Sequence, residues 1–294
     1  MDGQLQLRMV DNMRQLLIAI AAVLLCGCEK VVIDDDVHNG GDADGNVVLH
    51  VAPSPDATRS VTTALSDVCG RLNVAVFDAD GRKVKSVSQT VADAGFGSVS
   101  LSLTEGSYTV VAIGHNCTGS ATITSADKVT FPNNKVTDTF SYFGRLTVTD
   151  DRQDVDIKMK RAVAMIRLHL TDELTSMSSV AQLKFYYLGG SSTFSPSAGY
   201  GCVNSKQTEY RAYSDDGVYC LYTLPHAAND VLTKMTVTAL DAGDNIVGEC
   251  TIENVPVTVN KITDCTGNVR GGSGSVTATI TVDADWAGVN NYTY

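Results

Sequence analysis

The chain has 294 residues, of which 44% are hydrophobic, 19% charged and 6% aromatic, enough apolar side chain to fill a sizeable core and too much for wholesale disorder. Lys and Arg number 22 against 33 Asp and Glu, a formal net charge of -11 with no basic run to offset it, which argues against nucleic acid as a partner. The longest apolar run, Leu16 to Leu25, is ten residues where a helical membrane span needs about 20, which excludes a helical membrane-embedded body.

Arg14, that run and the exit Leu25-Cys26-Gly27-Cys28 have the layout of a secretory signal over residues 1–27. The exit resembles a bacterial lipobox, which would make Cys28 the lipidated residue and the outer membrane its partner. A plain signal peptide with cysteines near its cut is the alternative. Asp2 and Asp11 suit the head of a signal poorly, so Met13 is the expected start. Residues 28–45 carry Asp34-Asp35-Asp36 and Gly40-Gly41-Asp42 and read as an acidic tether. An acidic run at this place resembles the surface-export signal of Bacteroidota lipoproteins, and it fits a simple soluble linker equally.

From Val47 the dominant period is two. Val47-Val48-Leu49-His50-Val51 reads as a strand, followed by a Pro-containing stretch, Ala52 to Ser60, in which Arg59 and Ser60 form a candidate protease-processing site. Leu72 to Phe77 is a strand ending in Asp78-Ala79-Asp80-Gly81, a turn whose Gly can take positive φ. Ser98 to Leu103 alternates strictly, turns at Thr104-Glu105-Gly106 and resumes from Tyr108 to Ile113, the pattern of a hairpin with one buried face. Further strands are expected at 146–149, 155–159, 163–170, 181–188, 218–224, 235–240, 246–252 and 255–259. No helical run of ten or more residues follows the signal. The class is therefore all-β and sandwich-like.

The basic cluster Lys158-Met159-Lys160-Arg161 separates two expected strands and marks a boundary between an N-terminal domain, 46–158, and a C-terminal domain, 159–294. An internal echo supports the division: Val74 to Gly81 parallels Val237 to Asp244, each a strand running into an acidic turn. At the C-terminus Val276, Ala278, Ile280, Val282, Ala284 and Trp286 alternate with polar residues behind a flexible Gly271-Gly272-Ser273-Gly274. That strand either completes its own sandwich or leaves to pair with the open sheet edge of a neighbouring subunit. Trp286 alone reads equally well as core.

With Cys26 and Cys28 set aside, six cysteines remain. Local disulfides would join Cys69 to Cys117, Cys202 to Cys220 and Cys250 to Cys265, although free, partly buried thiols fit the spacing nearly as well. The five histidines, at 38, 50, 115, 169 and 226, make no zinc motif. Asp42-Ala43-Asp44-Gly45 and Asp78-Ala79-Asp80-Gly81 place Gly fourth, not sixth, and lack the closing Glu of a calcium loop. Gly271-Gly272-Ser273-Gly274-Ser275 lacks the final Gly and the context of a nucleophile elbow. No metal site, no cofactor and no catalysis are expected.

A lipobox, an acidic tether and two β-rich halves resemble the fimbrillin superfamily, the type V pilus subunits of Bacteroidales. Met159-Lys160-Arg161-Ala162-Val163-Ala164-Met165-Ile166-Arg167-Leu168 is similar to a strand of its minor-fimbrium anchor and tip branch. Phe185-Tyr186-Tyr187-Leu188-Gly189-Gly190-Ser191-Ser192 and Gly199-Tyr200-Gly201-Cys202-Val203-Asn204-Ser205 resemble the same branch. The resemblance implies two tandem transthyretin-like antiparallel β-sandwich domains. It also implies a surface role in fimbrium assembly and cell adhesion, with other fimbrial subunits and a host or bacterial surface receptor as partners. Shaft subunits of the family look similar around Arg59 and lose the preceding strand to an arginine-specific protease, whereas anchor-type members keep it. The competing reading is a surface glycan-binding lipoprotein of a nutrient-uptake system, with Tyr186, Tyr187, Tyr210, Tyr213, Tyr219 and Tyr222 as an aromatic face.

Overall fold

A computed structural model describes residues 41–42, 44–54, 63–270 and, as backbone, 277–281. The first half supplies β1 (Val47–Pro53), β2 (Arg71–Phe77), β3 (Lys83–Thr90), β4 (Ser98–Leu101), β5 (Gly106–His115), β6 (Thr122–Ser125), β7 (Lys128–Thr130), β8 (Thr139–Val148) and β9 (Gln153–Arg161). The second half supplies β10 (Ala164–Leu170), β11 (Gln182–Leu188), β12 (Thr193–Ser195), β13 (Tyr200–Gly201), β14 (Lys206–Ala212), β15 (Val218–Thr223), β16 (Asn229–Leu240), β17 (Ile246–Thr258), β18 (Ile262–Gly267) and β19 (Thr277–Thr281). Among the described residues the α-helices are single turns, Leu65–Val68 and Leu174–Met177.

Seven strands of the first half form one sheet in the order β3-β2-β5-β8-β9-β1-β4. The β8–β9 ladder consists of two residue pairs, Phe140 with Arg161 and Ser141 with Lys160. The sheet folds over at that point, so β3-β2-β5-β8 and β9-β1-β4 become two layers around Leu49, Leu72, Val74, Val99, Val110 and Ile157. In the second half β15-β10-β18-β19 and β14-β11-β16-β17 enclose Ile166, Phe185, Tyr187, Leu221, Val237 and Val257.

A third core lies between these sandwiches. Strands β2 and β5 are buried on both faces: Val74 and Val110 point into the first core, while Phe77, Val111 and Ile113 point out of it. The outward set packs against Val163, Met165, Phe194, Leu224 and Ile262 of the second half. A four-stranded sheet, β13-β12-β7-β6, draws two strands from each half across the same seam. Full burial of one such side chain is worth roughly 1.5–3 kcal/mol, so the seam rivals either sandwich core as a source of stability.

Several expectations change. Strands β4 and β5 do not form a hairpin: β4 pairs with β1, and β5 pairs with β2 and β8. Thr104 to Gly106 therefore carries the chain from one layer to the other, and the seam buries the second face of β5. The cluster Lys158 to Arg161 is the end of β9, not a linker, and the break falls at Ala162 and Val163, both buried. The two strands expected at 246–252 and 255–259 are one, β17. Strand β18, not anticipated, lies between β10 and β19. Its Thr263 and Asp264 obscure the pattern, and both are buried with partners: Thr263 donates to the Pro256 carbonyl at 2.5 Å, and Asp264 accepts two bonds from Arg167.

The internal echo is a geometric repeat. Asp78 Oδ1 accepts the N–H groups of Asp80 and Arg82, and Asp241 Oδ1 accepts those of Gly243 and Asn245. The fourth turn residue is left-handed in both, Gly81 at φ 77° and Asp244 at φ 62°. Each hairpin shifts register at the matching place, Val76/Phe77 and Ala239/Leu240.

Because the seam core is continuous, the two halves are expected to unfold together. Phe194→Ala should cost about 3–5 kcal/mol, read in urea as one transition moved to lower denaturant. Two separated transitions in the parent protein would contradict the shared core.

Candidate functional site

The segment from Asp42 to Ser54 is stitched into the first sandwich. Strand β1 runs parallel to β9 over seven residue pairs and antiparallel to β4 over four. Val47 and Leu49 are fully buried and Val51 nearly so. Asn46 exchanges hydrogen bonds with the backbone of Leu103 at 2.9 Å in both directions, and Ser54 N–H donates to Met159 O at 2.6 Å. Asp42 pairs with Lys85 at 2.9 Å, and that bond, with the Ser102 N–H, holds its carboxyl below the usual range. Arg59, Ser60 and Cys28 lie outside the described residues, as do the signal and most of the tether.

At the other terminus β19 pairs antiparallel with β18, placing Ala278 opposite Cys265 and Ile280 opposite Thr263. It is the edge of its own sheet. Val276, Val282, Ala284 and Trp286 of the expected assembly strand lie outside the described residues.

The described cysteines are all free thiols, so the pairings Cys69–Cys117, Cys202–Cys220 and Cys250–Cys265 are not formed. Cys69 belongs to the first core and Cys117 to the seam core on the opposite side of β5. Cys202 is exposed, whereas Cys220 packs at the seam. Cys250 and Cys265 both enter the second core from facing layers. Burial pushes the Cys69 and Cys265 thiols up to about 12 and Cys250 to about 11, leaving them protonated and unreactive at neutral pH.

Each described histidine has its own setting. His50 meets Asp154, His169 meets Asp264 and His226 meets Asp230, while His115 is fully buried. Among the described residues no group of three or more His, Cys, Asp or Glu is placed to hold a metal. The six tyrosines of the competing glycan-binding reading do not gather on one face. Tyr187 and Tyr219 point into the second core, Tyr213 packs against it, and Tyr222 turns to the seam. Tyr187 is spoken for inside, donating to the buried Glu209 at 2.9 Å.

Arg161 ties the seam together from the end of the expected basic cluster. Its guanidinium donates to both carboxylate oxygens of Asp138, at 2.8 and 3.0 Å, and to Asn260 Oδ1 at 3.2 Å. It also lies 4.6 Å from the Phe140 ring centroid. Asp138 and Phe140 belong to the first half and Asn260 to the second, where its N–H donates to Val163 O.

The family model describing fimbrillin-A associated anchor proteins Mfa1 and Mfa2 matches residues 39–292. This chain belongs to that anchor family. The match begins just before β1 and passes β19, so the family pattern includes both sandwiches and both terminal strands. In fold the chain is similar to a candidate polysaccharide-binding protein of Bacteroides thetaiotaomicron, with TM-score 0.55 at 9% identity, covering 84% of this chain and 97% of that one. It is similar to a candidate adhesin of the same organism, with TM-score 0.51 at 15% identity, covering 82% and 96%. A candidate adhesin of Bacteroides ovatus gives TM-score 0.51 at 14% identity, covering 83% and 95%. No curated protein matches the chain in sequence.

Within this anchor-family body lies one buried polar network that no sequence motif announces. His115 Nδ1 accepts the Cys117 N–H at 3.1 Å, which leaves Nε2 protonated to donate to Asn73 Oδ1 at 2.9 Å. Asn73 continues to Ser88, and Ser88 to Ser120. Burial, helped by the nearby Arg71 charge, pushes the His115 pKa down to about 4 from an ordinary 6.5. The unfolded chain therefore takes up a proton at higher pH than the folded one. The stability held by the neutral ring is complete above pH 6.5 and is lost as pH falls towards 4. The expected loss is about 1.4 kcal/mol per pH unit, roughly 3 kcal/mol across the window. Urea unfolding of the parent and of His115→Gln at several pH values should give a difference that shrinks on acidification. A pH-independent difference would place the titration elsewhere.

Proposed function

We propose that the protein is a non-catalytic fimbrial subunit of the anchor type, held at the outer membrane through a lipid on Cys28. It assembles with other fimbrial subunits and acts in adhesion to a host or bacterial surface receptor. Residues 46–158 and 159–294 act as its two domains, fused through the seam. The observation that carries this reading is the anchor-family match across both sandwiches, with β1 kept as an interior strand. A subunit that must give up β1 would have to open its core at Val47, Leu49 and Val51 and break two ladders. We therefore read Arg59 as uncleaved in the working protein. The C-terminal segment from Val276 to Trp286 is the assembly element, and its described part, β19, is the edge strand from which it would exchange. The dispersal of the tyrosines between two cores and the surface weighs against the nutrient-uptake reading.

Immunogold labelling of sheared fimbriae and of the stripped cells tests the placement. Label is expected at the fimbrial base and on the cells. Cys28→Ala should abolish palmitate incorporation and release the label from the cells. Retention of both in that variant overturns the anchor assignment. N-terminal sequencing of the mature protein is expected to be blocked at a lipidated Cys28, and a start at Ser60 would show that β1 leaves.

A further inference from the structure

Where β8 and β9 part to enter opposite layers, the seam opens into a cleft of about 600 Å³. Pockets for small ligands run to roughly 300–1,000 Å³, so the size is ample. One wall is the fork itself, with Ser141 and Phe143 on β8 and Lys158 and Lys160 on β9. The other is the β12–β13 hairpin, Pro196 to Tyr200, with Asn229 beside it.

The charge of the cleft runs against that of the chain. Its lining includes Lys158, Lys160 and Arg161 but no Asp or Glu, in a protein of net charge -11. Arg161 is committed to Asp138, whereas Lys158 and Lys160 form no ion pair and no side-chain hydrogen bond with a described residue. Two residues apart on one strand, their ammonium groups share a face and repel each other unless an anion sits between them. The apolar content is also out of place. Phe143 is 43% exposed, while Phe77, Phe131, Phe140, Phe185 and Phe194 are all buried. Across from it Tyr200 is half-buried, and Ala198 and Gly199 are too small to cover either ring.

We propose that this cleft binds a carboxylate-bearing oligosaccharide. Lys158 and Lys160 take the uronate carboxylates through charge-assisted hydrogen bonds. Phe143 and Tyr200 lie against the C–H faces of the sugar rings, and Ser141, Ser197 and Asn229 serve the hydroxyls. An acidic peptide would satisfy the lysines but leave the exposed rings without a role. The inference rests on the adhesive part of the proposed function and supplies its ligand class, while fimbrial placement is measured separately.

Calorimetric titration of the purified full chain with tri-galacturonate, a hyaluronan tetrasaccharide, neutral maltotriose and hexa-aspartate tests it. At least one uronate should bind, more weakly as salt rises, and the two uronates distinguish a plant or bacterial source from an animal one. Lys158→Gln with Lys160→Gln should weaken that binding by about ten-fold or more, as should Phe143→Ala. The double lysine variant should melt like the parent, since both lysines are exposed and have no ion pair with a described residue. Maltotriose and hexa-aspartate should not bind. Absence of uronate binding, equal binding by the double lysine variant, or equal binding of hexa-aspartate overturns the proposal. Immunogold placement of the double variant should match the parent, so a failed titration leaves the fimbrial reading intact, and lost placement in the parent leaves the titration interpretable.

Discussion

The structure depends on the burial of β2 and β5 from both sides. An antiparallel strand at a sandwich surface normally alternates apolar and polar residues, because one face meets water. Here Val74, Ala75, Val76 and Phe77, and Val110 to Ile113, are apolar without a break, and every one is buried. Such strands are insoluble unless a second layer covers their outer face, and the second half of the chain provides it. The sandwiches are thus joined by a core and not by a tether. Load applied at one terminus passes through packed side chains and the Arg161–Asp138 pair before it reaches the other.

That constraint also explains which parts of the fold were legible in the sequence. Local signals survived: the Asp-containing turns after Phe77 and Leu240 fix two hairpins through backbone geometry that four residues determine. The strands β10, β11 and β15 followed their alternation because one face of each enters the second core, while the opposite faces of β10 and β15 give only Met165, Cys220 and Tyr222 to the seam. What failed was pairing between distant segments. The alternation of Ser98 to Leu103 records one buried face, but nothing local tells β4 to choose β1 over β5. The bridging sheet joins Val129 to Phe194, and its short strands carry too few residues for a period to show. Strand β18 was hidden because Asp264 breaks its apolar run, and the compensating Arg167 lies on another strand.

The buried polar network around His115 answers a packing problem created by the seam. Asn73 and His115 lie on adjacent antiparallel strands, in the layer that the seam covers. A polar group there must be fully bonded or it costs about 1–3 kcal/mol. Asn73 Oδ1 also accepts the Ala121 N–H, so the network fastens the segment leading into β6 against the sheet. It therefore specifies where the bridging sheet begins, a task that apolar contacts alone perform with less directional precision.

The two terminal strands differ in what it would take to release them. Strand β1 has neighbours on both sides, with seven residue pairs to β9 and four to β4, and its side chains help fill the first core. Strand β19 has one neighbour among the described residues and five residue pairs with it. If each backbone bond contributes about 0.5–1.5 kcal/mol net, freeing β1 costs about two-fold more than freeing β19 before any core exposure is counted. Other edges differ in what they carry: β17 has Glu249, Glu253 and Pro256 and β3 has Lys83 and Lys85, whereas β4 and β15 have neither charge nor proline. Charges and proline along an edge discourage further pairing. Like β4 and β15, β19 carries no charge, and its Thr residues alternate with Ala and Ile, so nothing in its sequence opposes a new partner. The proposed assembly role fits this division between a first strand fixed by two ladders inside its sandwich and a last strand held by one.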